Sequence, residues 1–273
     1  MSIKEQIRSR RSVRSFDGRK VEAETLQEIL RYAEGVETPY ALPITWRLLD
    51  AKAQNLSCPV VTGTDCFIAG KLRRAAHAEE AFGFAFERVV LFAESLGIGT
   101  TWIAGTMDRA AFERAMALGE GEVMPCVSPL GYPAAKMSLR ESMMRRAVKA
   151  DSRLPFGELF FADGFETPLS EEKAGEYAEA LALCRLAPSA VNRQPWRAVV
   201  CGEAVHFYEK HSKGLITADG WDTQKIDMGI ALCHFACGLE EKGRAYRFVL
   251  EDPGLSHAPD TEYVASFLLG RWK

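Results

Sequence analysis

Residues 79–97 read EEAFGFAFERVVLFAESLG, and residues 227–243 read DMGIALCHFACGLEEKG. In the first stretch Phe82, Phe84, Phe86, Val89, Val90, Leu91 and Phe92 cover nearly the whole circumference of a helix. A helix that is apolar all round is buried on every side. The second stretch has the same character, and its glycines keep the same register. Gly83 and Gly97 are fourteen residues apart, and so are Gly229 and Gly243. Two such helices point to a duplication built round a buried helix, although a central helix inside one ordinary domain would give the same local pattern.

Working outward from these helices, the flanking elements also come twice. A helix over about 22–34 (EAETLQEILRYAE) places Leu26, Ile29, Leu30 and Ala33 on one face, and Gly35 stands where a left-handed residue would close it. Its counterpart is SEEKAGEYAEALALCRLA, with Ser170 as N-cap, acids in the first turn and Pro188 just past the end. A proline-containing loop then leads to Trp-Arg and an apolar strand, TWRLLD from Thr45 and PWRAVV from Pro195. After each buried helix comes a strand ending in glycine and an aromatic residue, PCVSPLGYP and YVASFLLGRW. Four matches in one order read as an internal duplication, with a period far too long for a solenoid. They predict two lobes, 1–160 and 161–273, fused as a pseudo-dimer about an approximate two-fold axis, with the apolar helices where the lobes meet and 138–168 as the crossover.

Composition sets the class. With 47% hydrophobic and 26% charged residues, net charge -3 and pI near 6.0, the chain reads as a soluble globular protein rather than a general nucleic-acid binder. Its start, MSIKEQIRSRRS, has no apolar signal core, and no apolar run is long enough to cross a bilayer. The seven cysteines are scattered, with no C-x-x-C pair, which fits reduced thiols and a cytoplasmic location. Cys233 and Cys237 would share a helix face beside His234. Two further zinc ligands are missing nearby, so these read as core residues and no metal is expected.

Three segments could carry chemistry. Residues 10–18, RRSVRSFDG, alternate Arg and Ser side chains, which suits an anion, although a solvated charge run looks the same. Residues 187–196, APSAVNRQPW, put Ser189, Asn192 and Gln194 in a tight loop, where hydroxyl and amide groups suit the edge of a heterocycle or simply form an Asx turn. Residues 96–105, LGIGTTWIAG, are not a dinucleotide fingerprint, because the glycines end a helix and lead into a strand. Their small residues let backbone N–H groups approach a planar ligand. The chain has no G-x-x-x-x-G-K-[ST], H-E-x-x-H or G-x-S-x-G, and none of its five histidines has an obvious nucleophile partner, so hydrolase and kinase readings have no support.

Together these segments resemble the FMN-dependent nitroreductase family, through R-R-S-x-R-x-F, P-S-x-x-N-x-Q-P-W, the buried helix ending L-G-x-G-T, the late L-G-Y-P and SRLPFGELF at 152–160. The tandem arrangement is similar to its putative TM nitroreductase subgroup. The resemblance implies an α+β, nitroreductase-like fold. It implies that Arg10, Ser12 and Arg11 hold phosphate and ribityl oxygens and that Arg14 sits by the pyrimidine N1/O2 edge. Arg153 would be a further phosphate ligand, although Asp151 stands where relatives often carry a base. Backbone N–H groups of Ala104 and Gly105 would face flavin N5 and O4, and Pro188, Ser189, Ala190 and Asn192 would close over the ring with Gln194 nearby. It further implies NADH or NADPH as reductant, a small-molecule electron acceptor (nitroaromatic, quinone or similar) and ping-pong turnover; the sequence itself offers no general acid or base that stands out. No nucleic-acid or membrane partner is expected; the fusion makes a monomer sufficient and leaves a homodimer open. Each lobe lacks what the other keeps. The first lobe reads ETPYALPITW in place of APSAVNRQPW, and the second has no R-R-S-x-R and reads KGRAYRF for LGIGTTW. That complementary loss predicts one composite site. The alternatives are a non-catalytic flavin-binding sensor or storage protein, or another flavin redox reaction on the same fold.

Overall fold

The computed structural model describes residues 1–214 and 220–270. The chain divides into two compact units, one made of Met1 with Ser9–Ala150 and the other of Ser2–Arg8 with Asp151–Lys273. Residues 151–160, which the sequence groups with the first lobe, and most of the first helix α1 (Ile3–Ser9) therefore lie in the second unit.

The first unit contains α2 (Ala23–Glu34), β1 (Thr45–Asp50), β2 (Cys66–Arg73), α3 (Ala78–Ser95), α4 (Arg109–Ala115), β3 (Glu122–Val123), β4 (Val127–Pro129) and α5 (Leu139–Ala147). Strand β2 is central. It pairs antiparallel with β1 along its length, from Thr45↔Lys71 to Asp50↔Cys66, and also with β3 and β4. Leu49, Phe67, Phe112, Met116 and Val127 form a buried cluster against this sheet. Trp46 of β1 lies against Phe82 and Phe86 of α3, with ring centroids 5.9 and 5.4 Å apart.

The second unit contains α6 (Phe156–Leu159), β5 (Phe160–Ala162), a 3-10 segment (Glu172–Tyr177), α7 (Ala178–Arg185), a 3-10 turn (Ala190–Asn192), β6 (Trp196–Cys201), β7 (Ala204–Lys210), α8 (Thr223–Glu241), β8 (Tyr246–Val249) and β9 (Thr261–Leu269). Its sheet runs β5-β6-β7-β9-β8, with β5 parallel to β6 and the other pairs antiparallel. Phe207, Phe235 and Phe267 pack edge to face in its core.

The two apolar stretches are α3 and α8, and both are buried over almost all of their lengths. Both end in the same cap. Gly97 (φ 73°) donates to the Glu94 carbonyl and Ile98 to that of Ala93; Gly243 (φ 63°) donates to Glu240 and Arg244 to Leu239. This is the Schellman arrangement, in which glycine takes the left-handed position without a Cβ penalty.

Local detail departs from the sequence expectation in three places. Gly35 keeps a right-handed backbone (φ -91°), because α2 ends by tightening its last turn onto the Arg31 and Tyr32 carbonyls. The helix expected from Ser170 begins instead as the 3-10 segment, interrupted within it at Gly175 (φ 55°, ψ -125°), and becomes α-helical only at α7, although Ser170 Oγ does accept the Lys173 N–H. Strands β2 and β7 have no place in the pattern read from the sequence. Trp272, which would end the second glycine-aromatic strand, lies outside the described residues.

Candidate functional site

The arginine arm is stitched into the first unit by backbone bonds. Val13 N–H donates to the Thr100 carbonyl (2.8 Å), Thr62 N–H to Arg14 (2.9 Å), Phe16 N–H to Thr62 (2.8 Å) and Asp17 N–H to Tyr132 (3.0 Å). Ser12 bridges Thr100 in parallel, so the sequence places the arm directly beside the 100–105 segment. Val13 and Phe16 are buried and anchor the strip, while Ser12 and Arg14 are half-buried between them.

Glu87 of α3 joins these pieces. Its fully buried carboxylate lies 3.6 Å from Arg10 Nε and accepts the Trp102 indole N–H at 3.0 Å. Ala104 and Gly105 follow Trp102 in a turn, where the Ala104 carbonyl accepts from Arg109 at 2.8 Å and Gly105 is exposed with open space on its Cβ side. Burial pulls the Arg14 guanidinium below the usual arginine range, with Glu141 opposing the shift and Arg145 adding to it.

The donors along this strip are incompletely used. Arg10 Nε and Nη1, Arg11 Nη1, Arg14 Nε and Thr101 Oγ1 are buried and have no hydrogen-bond partner. Buried donors left in this state need an acceptor. A strip of guanidinium and hydroxyl donors matches an anionic, acceptor-rich ligand, and the phosphate, ribityl and pyrimidine oxygens of FMN have that character.

In the second unit, Pro188 to Gln194 form a loop held largely by its own polar groups. Ser189 Oγ accepts the Gln194 N–H (2.9 Å), and the Gln194 side chain, itself buried, accepts from Leu154 N–H (2.9 Å) and donates to the Asn192 carbonyl (3.2 Å). Asn192 Nδ2 donates to the Ser152 carbonyl at 3.2 Å. Arg153 donates to the carbonyls of Ser152 (2.7 Å) and Leu186 (3.1 Å). Gln194 and Arg153, expected as ligand contacts, thus have polar atoms committed to fastening the loop to 152–154 and to the end of α7. Val191 and Asn192 take left-handed backbone (φ 44° and 58°), a strained state for a β-branched valine.

Asp227, which the sequence reading did not single out, supports the loop from beneath. Both its oxygens accept the Ala190 N–H, at 3.1 and 2.9 Å. Burial raises its carboxyl well above the usual carboxylate range and the charges of Glu209 and Asp222 push the same way, against the Ala190 bond. Glu87 and Glu141 were also missed. The one available signal for Asp227 and Glu87 was a carboxylate inside an otherwise apolar helix. Cys233 and Cys237 are buried in α8, and His234 Nδ1 meets the Leu183 carbonyl at 3.0 Å, as core packing requires. Among the described residues no helix is long and apolar enough to cross a membrane.

A family model described as putative TM nitroreductase matches residues 2–239. No curated protein matches the chain. Among solved structures, a putative nitroreductase from Thermotoga maritima is similar at 22% identity over 98% of this chain and 94% of that one, with a TM-score of 0.64, a likeness of fold. A putative NADH dehydrogenase/NAD(P)H nitroreductase from Bacteroides thetaiotaomicron aligns at 23% identity over 50% of this chain and 89% of that one (TM-score 0.44). An FMN-dependent nitroreductase from Clostridium difficile aligns at 17% identity over 52% and 94% (TM-score 0.42). With the whole fold shared and the family pattern running through both units, the chain belongs to the putative TM nitroreductase family and is an oxidoreductase of nitroreductase type.

Proposed function

We propose that the chain binds one FMN and works as an FMN-dependent NAD(P)H oxidoreductase. The observation that carries this is the strip of buried donors on Arg10, Arg11, Arg14 and Thr101 that have no hydrogen-bond partner. When bound, FMN supplies a ring that takes a hydride from NADH or NADPH and passes electrons to a nitroaromatic, quinone or similar small acceptor in ping-pong turnover.

The residues divide the work. Arg10, held by Glu87, keeps Nη1 for the phosphate, with Arg11 and Ser12 beside it. Arg14 offers positive charge to the N1/O2 edge, where negative charge gathers on reduction. The N–H groups of Ala104 and Gly105 would hold the N5/O4 edge. From the second unit, Pro188, Ser189, Ala190 and Asn192 would cover the ring, while Gln194, Arg153 and Asp227 hold that loop in shape. That both sets serve a single FMN rests on the sequence: each lobe keeps the half that the other has lost.

Purified protein should carry or take up one FMN per chain. NADH or NADPH should bleach it without oxygen, and a quinone or nitroaromatic should restore the colour. Arg14→Ala and Asn192→Ala, in different units, should each weaken FMN binding by about tenfold or more. Two FMN per chain would refute the single site, bound FMN that neither nucleotide bleaches would indicate a non-catalytic flavin binder, and failure to take up FMN would end the proposal.

A further inference from the structure

We infer that Glu141 is an internal anion seated against Arg11 and Arg14, which FMN must displace. The inference rests on the flavin reading above and concerns the same arginines. Helix α5 is turned the wrong way for a surface helix. Leu139 and Met143 are 85% and 72% exposed, whereas Glu141 is buried at 2%. Two hydrocarbon side chains face water while the carboxylate faces inward, beside Met144, which packs against the core of the first unit, so Glu141 takes an inward position that an apolar residue would normally hold.

The local sequence offers Glu141 another role that the structure does not use. Ser138 and Glu141 have the spacing of a capping box, in which the glutamate reaches back to the N-cap N–H. Only half of the box forms. Ser138 Oγ accepts the Glu141 N–H (3.1 Å), but the Ser138 N–H donates to Ser15 Oγ (3.2 Å), next to Arg14 on the arm. The Glu141 side chain turns inward instead, to 3.8 Å from Arg11 Nη1.

Its seat is poor. Both carboxylate oxygens are buried without a hydrogen-bond partner, while Arg11 Nη1 and Arg14 Nε also lack one. Glu141 and Arg11 thus pair as ions without a hydrogen bond, which leaves much of the desolvation cost of each in place. A ligand whose oxygens bond those donors directly would win the seat, and α5 would then be released. Besides this seat, α5 is tied by its N-terminal cap, by Arg140 Nη1 on the Pro59 carbonyl (2.9 Å) and by Met144 against the core of the first unit.

The test is FMN titration, followed by quenching of flavin fluorescence, of wild type, Glu141→Gln and Glu141→Asp, with tryptic cleavage at Arg145 and Arg146 followed in each. Removing the charge should tighten FMN binding about tenfold, while the aspartate variant stays near wild type. FMN should also speed cleavage of α5 in wild type. A merely structural role would shift Gln and Asp alike. If wild type binds FMN and Glu141→Gln binds no more tightly, or if FMN protects α5, the internal-anion inference fails and the flavin reading stands. If none of the three takes up FMN, both fall.

Discussion

Helices α3 and α8 end in the same glycine cap yet meet their neighbours in opposite ways. By the glycine register, Phe92 of α3 corresponds to Gly238 of α8. Phe92 stacks on Tyr32 of α2, ring centroids 4.1 Å apart and nearly parallel. Gly238 lets α7 come so close that a Cβ there would lie 2.6 Å from the Ala180 backbone. One helix pair is held apart by rings, and the other is drawn together backbone to backbone. A duplicated frame can therefore keep its caps while its internal spacing is reset.

The loops before β1 and β6 differ in the same spirit. Aligned on Trp46 and Trp196, Ala41 and Val191 both take left-handed backbone (φ 52° and 44°), so one turn persists in both units. The side chains diverge around it. Ile44 stands where Gln194 stands, and the amide that braces the second loop has no counterpart in the first. Only the second loop carries the Ser, Asn and Gln side chains.

Substitutions can break or sharpen this comparison. Gly238→Phe puts a ring into the Ala180 backbone and should cost more than about 3 kcal/mol, abolishing cooperative unfolding of the second unit. Phe92→Ala loses only a half-buried stack and should cost about 2 kcal/mol in denaturant melts. Equal costs would mean the two helix pairs are packed alike after all. Gln194→Ala should cost about 1–2 kcal/mol, since it strands the buried Leu154 N–H, whereas Ile44→Ala should leave any flavin affinity unchanged.

The smallest effect concerns pH. Asp227 has a raised native pKa, so the folded state holds more protons than the unfolded one above the ordinary carboxylate range. Its contribution is complete below about pH 4 and is lost as pH rises through the raised value. Thermal melts of Asp227→Asn should show a flatter decline toward neutral pH than wild type, and an unchanged slope would contradict the assignment.

Much of the fold was legible because α3 and α8 are apolar on every side and because Trp-Arg marks β1 and β6. The arm was legible through its charge density. Strands β2 and β7 were not, since short apolar runs such as CFIAGKLR carry no distinctive period. Glu141 escaped because S-x-x-E looks like an ordinary helix start, and only the competing bond from Ser138 to Ser15 turns it inward. The bonds of the Gln194 amide to Leu154 and Asn192 were not legible either, since pattern alone does not show which partners an amide takes.

Helix α1 has a consequence for synthesis. It is grouped with the second unit, where Lys4 pairs with Glu179 at 3.6 Å and Ile7 is buried. Residues 2–8 thus find their partners only after the chain has passed α7, whereas the unit that ends at Ala150 has its other parts in hand much earlier. Docking of α1 therefore closes a contact across more than a hundred residues of chain, the kind of long-range contact that slows folding. A fragment begun at Asp151 would lack that helix, and the seven residues 2–8, supplied as a separate peptide, should restore part of its stability.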